Sequence, residues 1–240
     1  MARSIPRTEL TVFTQNNKPT LDYDFQAGAV FLIQKPIDWS SFKVIKVLRA
    51  ILDMKKIGHA GTLDPKATGL LIVCCGKATK SVLQFQDLQK EYIMDLRLGA
   101  STPSYDSETD IDKTAPWEHI KNEDINQRLD EKFTGTIKQR PPMYSAIHKN
   151  GERLYKKARR GEKVDTGLRW VTINKNEIIT FDPPDVRLKV TCGKGTYMRS
   201  LAHDLGREVG SRAYVTALKR IAIGPYKSDD ALTIDQIRNL

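Results

Sequence analysis

The stretch GHAGTLDPKATGLL, residues 58–71, is the segment that the rest of the chain is built to present, and we call it the Asp64 loop after its aspartate. It joins a predicted helix ending near residues 54–56 to the apolar run Leu70 to Cys75, which is typical of a buried strand. Its glycines permit positive φ or close approach to another molecule, and the proline disfavours helical conformation at Asp64. The sequence therefore predicts a bent, stiffened loop that presents a carboxylate, although these residues taken alone also fit an ordinary turn.

The segments around this loop predict more strands than buried helices, and the strands often follow one another directly. Apolar runs or period-two alternation predict strands at 29–33, 70–75, 90–98, 170–179, 185–192 and 213–223. Capping residues and apolar stripes predict helices after Ser40 or Ser41, over 78–85, from Thr114 to about Phe133, over 152–160, after Arg199 and after Thr233. This order predicts an α+β fold with a mixed, mainly antiparallel central sheet and flanking helices.

Composition and charge favour a polyanionic partner. The 240 residues include 39 Lys and Arg against 29 Asp and Glu, a net charge of +10, and such a surplus favours binding to phosphates. The cysteines are odd in number and two are adjacent in an apolar run, which predicts buried thiols rather than disulfides. Signal-peptide and membrane-spanning patterns are absent from the sequence, and no spacing of Cys and His suits a metal. We expect a cytoplasmic protein with no metal and no membrane.

Two segments differ from the rest in composition. Residues 1–27 lack a sustained period and predict an extended N-terminal arm or a poorly ordered tail. We call residues 139–163 the thumb segment. Regular secondary structure is interrupted there by Arg140-Pro141-Pro142, and the residues that follow combine many basic side chains with Tyr144 and Tyr155. Basic and aromatic side chains together fit a flap that clamps nucleic acid. A solvated, charged helix fits the same composition equally well.

Several stretches resemble the TruB family of tRNA pseudouridine synthases, in the order that the family has them. They are Lys35-Pro36 with the helix after it, the Asp64 loop, Lys90-Glu91-Tyr92 with Leu98-Gly99, and Lys194 to Arg199. Pro142 to Ala146 also resembles the family's RNA-gripping thumb. The resemblance implies a pseudouridine synthase catalytic domain over 28–240, with the thumb segment as an insertion. It also implies that the RNA-binding PUA domain of many bacterial relatives is lacking here.

The resemblance also implies the catalytic residues. Asp64 matches the family's nucleophilic aspartate, and Arg199 matches the arginine that pairs with that carboxylate. Tyr92 matches the tyrosine that stacks on the target base and can take part in proton transfer. Tyr197 resembles a pocket residue near the carboxylate. From periodicity alone, a core aromatic residue of an alternating strand is the better interpretation of Tyr92.

Further matches imply contacts to RNA. His59 matches the histidine that lies against the RNA loop where the flipped base had been, and Asp106 lies where the family has an acidic residue near the site. Phosphate or RNA contacts are implied for Lys35, Tyr144, Arg153, Lys156 and Arg159. Phosphate contacts of this kind anchor RNA without reading its sequence.

The implied reaction isomerises uridine 55 in the T loop of tRNA to pseudouridine, after the base is flipped out of its stack. The bond from C1′ to N1 breaks and one from C1′ to C5 forms, so no redox or high-energy cofactor is needed. A carboxylate suits the nucleophile because it is ionised at neutral pH; attack at C6, attack at C1′ and an elimination route all stay open. Walker and dinucleotide-binding glycine patterns both fail, which argues against a nucleotide cofactor.

We expect the partner to be the T-arm stem-loop of tRNA and the protein to be a monomer. The alternatives are an RNA-binding or tRNA-folding module without essential catalysis, and a carboxylate-dependent hydrolase that releases free uracil.

Overall fold

The computed structural model describes residues 5–20, 22–149 and 151–239. Residues 1–4 and 21 of the predicted arm, residue 150 of the thumb segment and residue 240 at the end of the predicted catalytic domain lie outside the described residues. The chain forms two compact units. The first unit comprises Met1–Glu91 and Lys219–Leu240, and the second comprises Tyr92–Leu218.

The described elements are named here in chain order. The strands are β1 Val12–Phe13, β2 Ala29–Lys35, β3 Ile57–His59, β4 Ala67–Cys75, β5 Lys90–Leu98, β6 Ala100–Ser101, β7 Lys113–Thr114, β8 Gly135–Gln139, β9 His148–Lys149, β10 Glu152–Arg153, β11 Arg169–Asp182, β12 Asp185–Cys192, β13 Ala213–Ile223 and β14 Tyr226–Lys227. The α-helices are α1 Ser41–Ile51, α2 Val82–Gln86, α3 Asn122–Lys132, α4 Leu154–Arg159, α5 Met198–Glu208 and α6 Ile234–Arg238. Short 3₁₀ helices cover Arg7–Glu9, Gly76–Ser81 and Ser228–Asp230.

The first unit is built on the antiparallel pair β2 and β4, which run side by side from Ala29 opposite Cys75 to Lys35 opposite Gly69. The short β1 extends the sheet in parallel beside β2, and β3 pairs antiparallel with β4. Both β2 and β4 are continuous apolar runs, so they bury side chains on both faces of the sheet. Phe31 and Ile33 pack with α1 and α6 on one face, whereas Val30 and Leu32 join a second core on the other.

The predicted N-terminal arm packs into this unit through single apolar residues. Phe13 is buried, and its ring lies 4.8 Å from that of Tyr23 and 5.2 Å from that of Phe31. Leu10 is buried in the second core. The sequence of the arm shows no period because its apolar residues contact the core singly, between turns, rather than along one face of an element.

The second unit contains β5, β12, β11 and β8 as successive neighbours in its sheet. β11 and β12 form a long antiparallel hairpin, with Ile173 opposite Cys192 at one end and Asp182 opposite Asp185 at the other. β8 pairs antiparallel with the start of β11. α3 packs on β11 and on α5.

The helix predicted from Thr114 begins later than the sequence indicates, because α3 covers Asn122–Lys132. Thr114 instead lies in β7, opposite Ala100. The Ala115 N–H donates to the Gly99 carbonyl at 2.8 Å, so backbone pairing with a distant segment holds these residues extended. The helix then starts where the Asp124 carboxylate accepts from the Lys121 N–H at 2.8 Å. Tertiary pairing here overrides the local signal of Thr114 and Pro116.

The α+β class with a mixed, mainly antiparallel sheet and flanking helices is confirmed. The strand predicted at 213–223 and the capping box from Thr233 to Gln236 agree with β13 and α6. Within the three described ranges, the helices are all too short or too polar to cross a lipid bilayer.

Candidate active site

Immediately before Asp64 in the chain, a serine of α1 holds the backbone of the Asp64 loop. Ser41 accepts from the Leu63 N–H at 2.8 Å and donates to the Leu63 carbonyl at 3.1 Å. Both residues are buried, Ser41 at 2% and Leu63 at 3% exposure. Because both backbone groups of Leu63 are bonded to one buried hydroxyl, the residue before Asp64 is held to the start of α1.

Immediately after Asp64 in the chain, the Pro65 carbonyl is held by two hydrogen bonds. It accepts from the Asp38 N–H at 2.9 Å and from Lys35 Nζ at 3.3 Å. The Ala67 N–H donates to the Asp64 carbonyl at 3.0 Å, which closes a tight turn. The backbone around Asp64 is therefore held at the residues immediately before and after it.

Lys35 has a structural role in place of the predicted phosphate contact. Its side chain is fully buried, and its ammonium also donates to the carbonyls of Pro36 at 2.8 Å and Trp39 at 2.5 Å. Burial lowers the Lys35 pKa to about 8, against a smaller opposing effect of the nearby Asp64 charge. The ammonium is buried and donates its hydrogen bonds to backbone carbonyls of its own chain. In this conformation it does not reach a phosphate.

Arg220 on β13 is a residue of the site that the sequence did not indicate. Its Nε donates to the Leu70 carbonyl at 2.8 Å, and its Nη2 donates to the Gly61 carbonyl at 3.2 Å. A charged residue at a position where strand alternation predicts burial would have drawn attention to this site. In β13, however, the buried positions change from odd to even numbers between Val215 and Arg220, so period-two alternation does not predict that Arg220 is buried.

His59 ends β3 at the start of the Asp64 loop. Burial, and next the positive charge of Arg220, lower the pKa of His59. Its Nδ1 is buried with no hydrogen-bond partner among the described residues. The neutral imidazole favoured by these effects can take part in hydrogen bonding without adding charge.

In the second unit, Arg199 on the first turn of α5 is buried at 3% exposure. Its Nη1 donates to the Ser104 carbonyl at 2.9 Å and its Nη2 to the Tyr144 carbonyl at 2.7 Å. Its Nε lies 3.6 Å from Asp106 Oδ2. A buried guanidinium with these partners has a fixed orientation.

Asp106 is itself held by its neighbours, and it is buried at 3% exposure. Its Oδ1 accepts from the Glu108 N–H at 3.0 Å, and its carbonyl accepts from the Thr102 hydroxyl at 2.7 Å. The preceding Tyr105 has a positive φ of 64°, and its ring stacks on that of His203 at 3.8 Å. Positive φ costs a tyrosine about 1 kcal/mol, which this stacking helps to offset.

Tyr197 caps α5 and is fixed by Gln139, the last residue of β8. The Tyr197 N–H donates to the Gln139 side-chain oxygen at 2.8 Å, and the Gln139 amide donates to the Tyr197 carbonyl at 3.0 Å. Gln139 is buried, so this reciprocal pair joins the start of the thumb segment to the motif that carries Arg199. Sequence reasoning did not single out Gln139.

Tyr92 lies on β5 with 9% exposure, on the same face as Met94 and Leu96. The alternation of β5 is thus confirmed. This burial is compatible both with a core role and with an aromatic wall of a pocket.

The thumb segment carries exposed cations on a small folded base. β9 and β10 form a hairpin, and Leu154 at the start of α4 is fully buried. Arg153 and Lys156 are exposed. Arg159 pairs with Glu108 at 2.8 Å, and its guanidinium lies 5.6 Å from the centre of the Tyr155 ring. Such exposed ion pairs are exchangeable with phosphate oxygens.

Among the described residues, no group of three or more His, Cys, Asp or Glu side chains could hold a metal ion. The arrangement offers a carboxylate on an anchored loop in the first unit. In the second unit it offers an oriented guanidinium with two tyrosines.

The family can be read from comparison with known proteins. Residues 49–198 match the model of the TruB family pseudouridylate synthase N-terminal domain. The chain belongs to the TruB family. Residues 199–240 match the model of the tRNA pseudouridylate synthase B C-terminal domain.

TruB relatives match along most of the chain. A tRNA pseudouridine synthase B of Flavobacterium johnsoniae is 46% identical over 218 residues, covering 88% of this chain and 95% of that protein. One from Phocaeicola vulgatus is 42% identical, covering 88% and 92%. One from Francisella tularensis subsp. novicida is 41% identical, covering 89% of this chain and 70% of that protein.

Solved structures agree on the fold. A chain in a Cbf5-Nop10-Gar1 complex is 29% identical with a TM-score of 0.70, covering 95% of this chain and 58% of that one. A chain of an H/ACA RNP bound to a substrate RNA containing 2′-deoxyuridine is 26% identical with a TM-score of 0.68, covering 98% and 59%. This chain thus spans somewhat more than half the length of these structural relatives.

The predicted family is therefore confirmed, and with it the enzyme class, a pseudouridine synthase and so an isomerase. The substrate position and the roles of individual residues are finer predictions, which we treat as proposals.

Proposed function

We propose that this protein isomerises uridine 55 in the T loop of tRNA to pseudouridine, with Asp64 as the nucleophile. The observation that carries the proposal is the anchoring of the Asp64 loop. Leu63 is bonded to Ser41 and Pro65 to Asp38 and Lys35, so the residue between them is presented on fixed backbone. A nucleophile held in place before substrate arrives removes part of the entropic barrier to attack.

The substrate class is supported by the relatives and by charge. The relatives that cover most of the chain are named tRNA pseudouridine synthase B, and the net charge of +10 favours a polyanion. We propose the T-arm stem-loop as the part of tRNA that is bound. We further propose that the protein acts as a monomer in the cytoplasm.

The other groups take distinct parts in this proposal. Arg199 supplies positive charge, and its hydrogen bonds to the Ser104 and Tyr144 carbonyls keep its guanidinium oriented. Tyr92 stacks on the flipped uracil and Tyr197 packs beside it. Asp106 keeps Arg199 in place.

RNA contacts complete the proposal. His59 lies against the RNA where the flipped base had been. The thumb segment grips the RNA through Tyr144, Arg153, Lys156 and Arg159. The exposed cations of this group bind phosphate oxygens and fix the position of the RNA rather than reading its sequence.

The chemistry is an internal rearrangement. The C1′–N1 bond breaks, the uracil turns, and a C1′–C5 bond forms while the proton leaves C5 and one is gained at N1. Atoms and electrons balance within the uridine, so the carboxylate is regenerated after each turnover.

The test incubates purified protein with an unmodified tRNA transcript, without additives, and maps pseudouridine at every uridine. We expect product at position 55 alone. Asp64→Asn is expected to lower the single-turnover rate at least about a thousandfold while RNA affinity stays within about threefold. Asp53→Asn is the matched control, since this exposed aspartate has a positive φ of 43° that asparagine also tolerates.

Each adverse result removes a defined part of the proposal. Product at another uridine would contradict the position. An active Asp64→Asn variant would contradict the nucleophile. Release of free uracil would indicate a hydrolase, and tight binding without product would indicate an RNA-binding module.

A further inference from the structure

Arg220 has the largest side chain among the fully buried described residues, with 1% exposure. Arginine is almost never fully buried unless its charge and its N–H groups are satisfied. A buried guanidinium costs more to desolvate than an aliphatic side chain of similar size, so its hydrogen bonds are what distinguish arginine at this position.

These hydrogen bonds join the two ends of the segment that carries Asp64. Nη2 donates to the Gly61 carbonyl at 3.2 Å, before Asp64, and Nε donates to the Leu70 carbonyl at 2.8 Å, after it. The planar fork of a guanidinium can serve two acceptors at once in a fixed relative position. One side chain therefore sets the separation between the two ends of the loop.

The loop backbone also lies directly against β13 at this point. Gly69 has a φ of 97°, and a Cβ built there would lie 2.3 Å from the Arg220 carbonyl oxygen. Gly61 has a φ of 103°, and its Cβ would lie 3.7 Å from Arg220 Nη1. A side chain at position 69 would push the loop and β13 apart, so glycine is required for the approach on which the hydrogen bonds depend.

We propose that Arg220 is a positioning residue for catalysis, which holds the two ends of the Asp64 loop at a fixed separation and so places the carboxylate for attack. The inference rests on the proposed role of Asp64. Displacing a reacting group by about 1 Å costs about a hundredfold in rate, so loosening the ends of the loop slows the chemical step. RNA affinity, in contrast, depends on exposed cations elsewhere.

Electrostatics agree with the geometry. Burial has the largest effect on the pKa of both His59 and Lys35, and the charge of Arg220 lowers both further. The positive charge of Arg220 thus acts on His59 within the Asp64 loop and on Lys35 of β2. Charge and geometry can be separated, because lysine at position 220 keeps the charge but lacks two donor nitrogens at a fixed separation, whereas methionine loses both.

The experiment measures the single-turnover rate at saturating tRNA, the dissociation constant for tRNA, and the melting temperature for Arg220→Lys and Arg220→Met. We expect both variants to fold, with tRNA affinity within about threefold of wild type. The rate should fall about tenfold to a hundredfold in Arg220→Lys, and further in Arg220→Met. Arg238→Lys is the control, because Arg238 is an exposed arginine of α6 that pairs with Asp235.

Three results would overturn the inference. One is an unchanged rate in Arg220→Lys, measured well below the melting temperature of that variant. Another is a loss of affinity with an unchanged rate. The third is a failure of both variants to fold, which would assign Arg220 to stability alone. An active Asp64→Asn variant would instead contradict the proposed function itself, so the two failures are distinguishable.

Discussion

The Asp64 loop and the basic side chains of the thumb segment are held by opposite physical means. The loop is fixed by hydrogen bonds from buried side chains, with Ser41 at 2% and Arg220 at 1% exposure. The basic side chains of the thumb segment instead form exposed ion pairs, such as that of Arg159, whose side chain is 62% exposed, with Glu108. Buried hydrogen bonds to backbone define one conformation, whereas exposed ion pairs contribute little stability and exchange readily with another anion.

The tasks that we propose for the two regions differ in the same way. A segment that must place one carboxylate for attack gains from having a single conformation. A segment that must grip RNA gains from cations that can leave their protein partners for phosphates. Three changes test this contrast, taken from the largest expected effect to the smallest.

Gly69→Ala should break the loop. Its Cβ would lie 2.3 Å from the Arg220 carbonyl oxygen, and its φ of 97° is unfavourable for alanine. We expect the free energy of unfolding to fall by about 3 kcal/mol or more in urea denaturation. Gly135→Ala is the matched control: φ is 87°, and among the described residues nothing lies within 4 Å of the added Cβ. The control should lose only about 1 kcal/mol, and equal losses would show that backbone strain alone matters.

Lys35→Met should change how stability depends on pH. The folded-state pKa is about 8 and the ordinary value 10.5, so between these pH values the unfolded chain binds more protons than the folded one. The free energy of unfolding of the wild type should therefore rise with pH in this window, by up to about 1.4 kcal/mol per pH unit from this group.

Lys35→Met removes that contribution, so its stability should rise less steeply between pH 8 and 10.5 than that of the wild type. Urea denaturation at several pH values measures the difference. Lys156→Met, at an exposed position of the thumb segment, is the control and should follow the wild type. If the free energy of unfolding depended on pH in the same way in the wild type and in Lys35→Met, burial would not lower the Lys35 pKa as we expect.

Arg159→Ala should leave the fold almost unchanged and weaken RNA binding. The lost pair with Glu108 is exposed, so the free energy of unfolding should change by less than about 0.5 kcal/mol. Affinity for tRNA should fall about fivefold, and the dependence of log affinity on log salt should become less steep by about 1. Binding measured at several salt concentrations checks this, with Arg238→Ala as control. An unchanged salt slope would remove Arg159 from the RNA contacts.

Much of the fold follows from the sequence because its strands carry their own signal. The apolar runs around Phe31 and Leu71, and the alternation from Tyr92 to Leu98, correspond to β2, β4 and β5. The motifs around Asp64 and Arg199 identify the family because each is a contiguous stretch of sequence, which can be recognised without knowing the fold. The positions of these residues in their elements could be predicted without knowledge of any long-range contact.

Other features required the tertiary structure. The burial of Lys35, the later start of α3, the packing of Phe13 and the stacking of Tyr105 on His203 each depend on a partner far away in sequence. Their local sequences permit several conformations, and burial or backbone pairing selects one of them.

The longer strands, the family and the Asp64 loop could be predicted from the sequence, because periodicity and contiguous motifs are properties of neighbouring residues. How that loop is held depends on the tertiary structure. The bond from Arg220 to Leu70 spans 150 positions of the chain. Whether a buried guanidinium finds a carbonyl at that distance depends on how all the intervening elements pack, which no local pattern records.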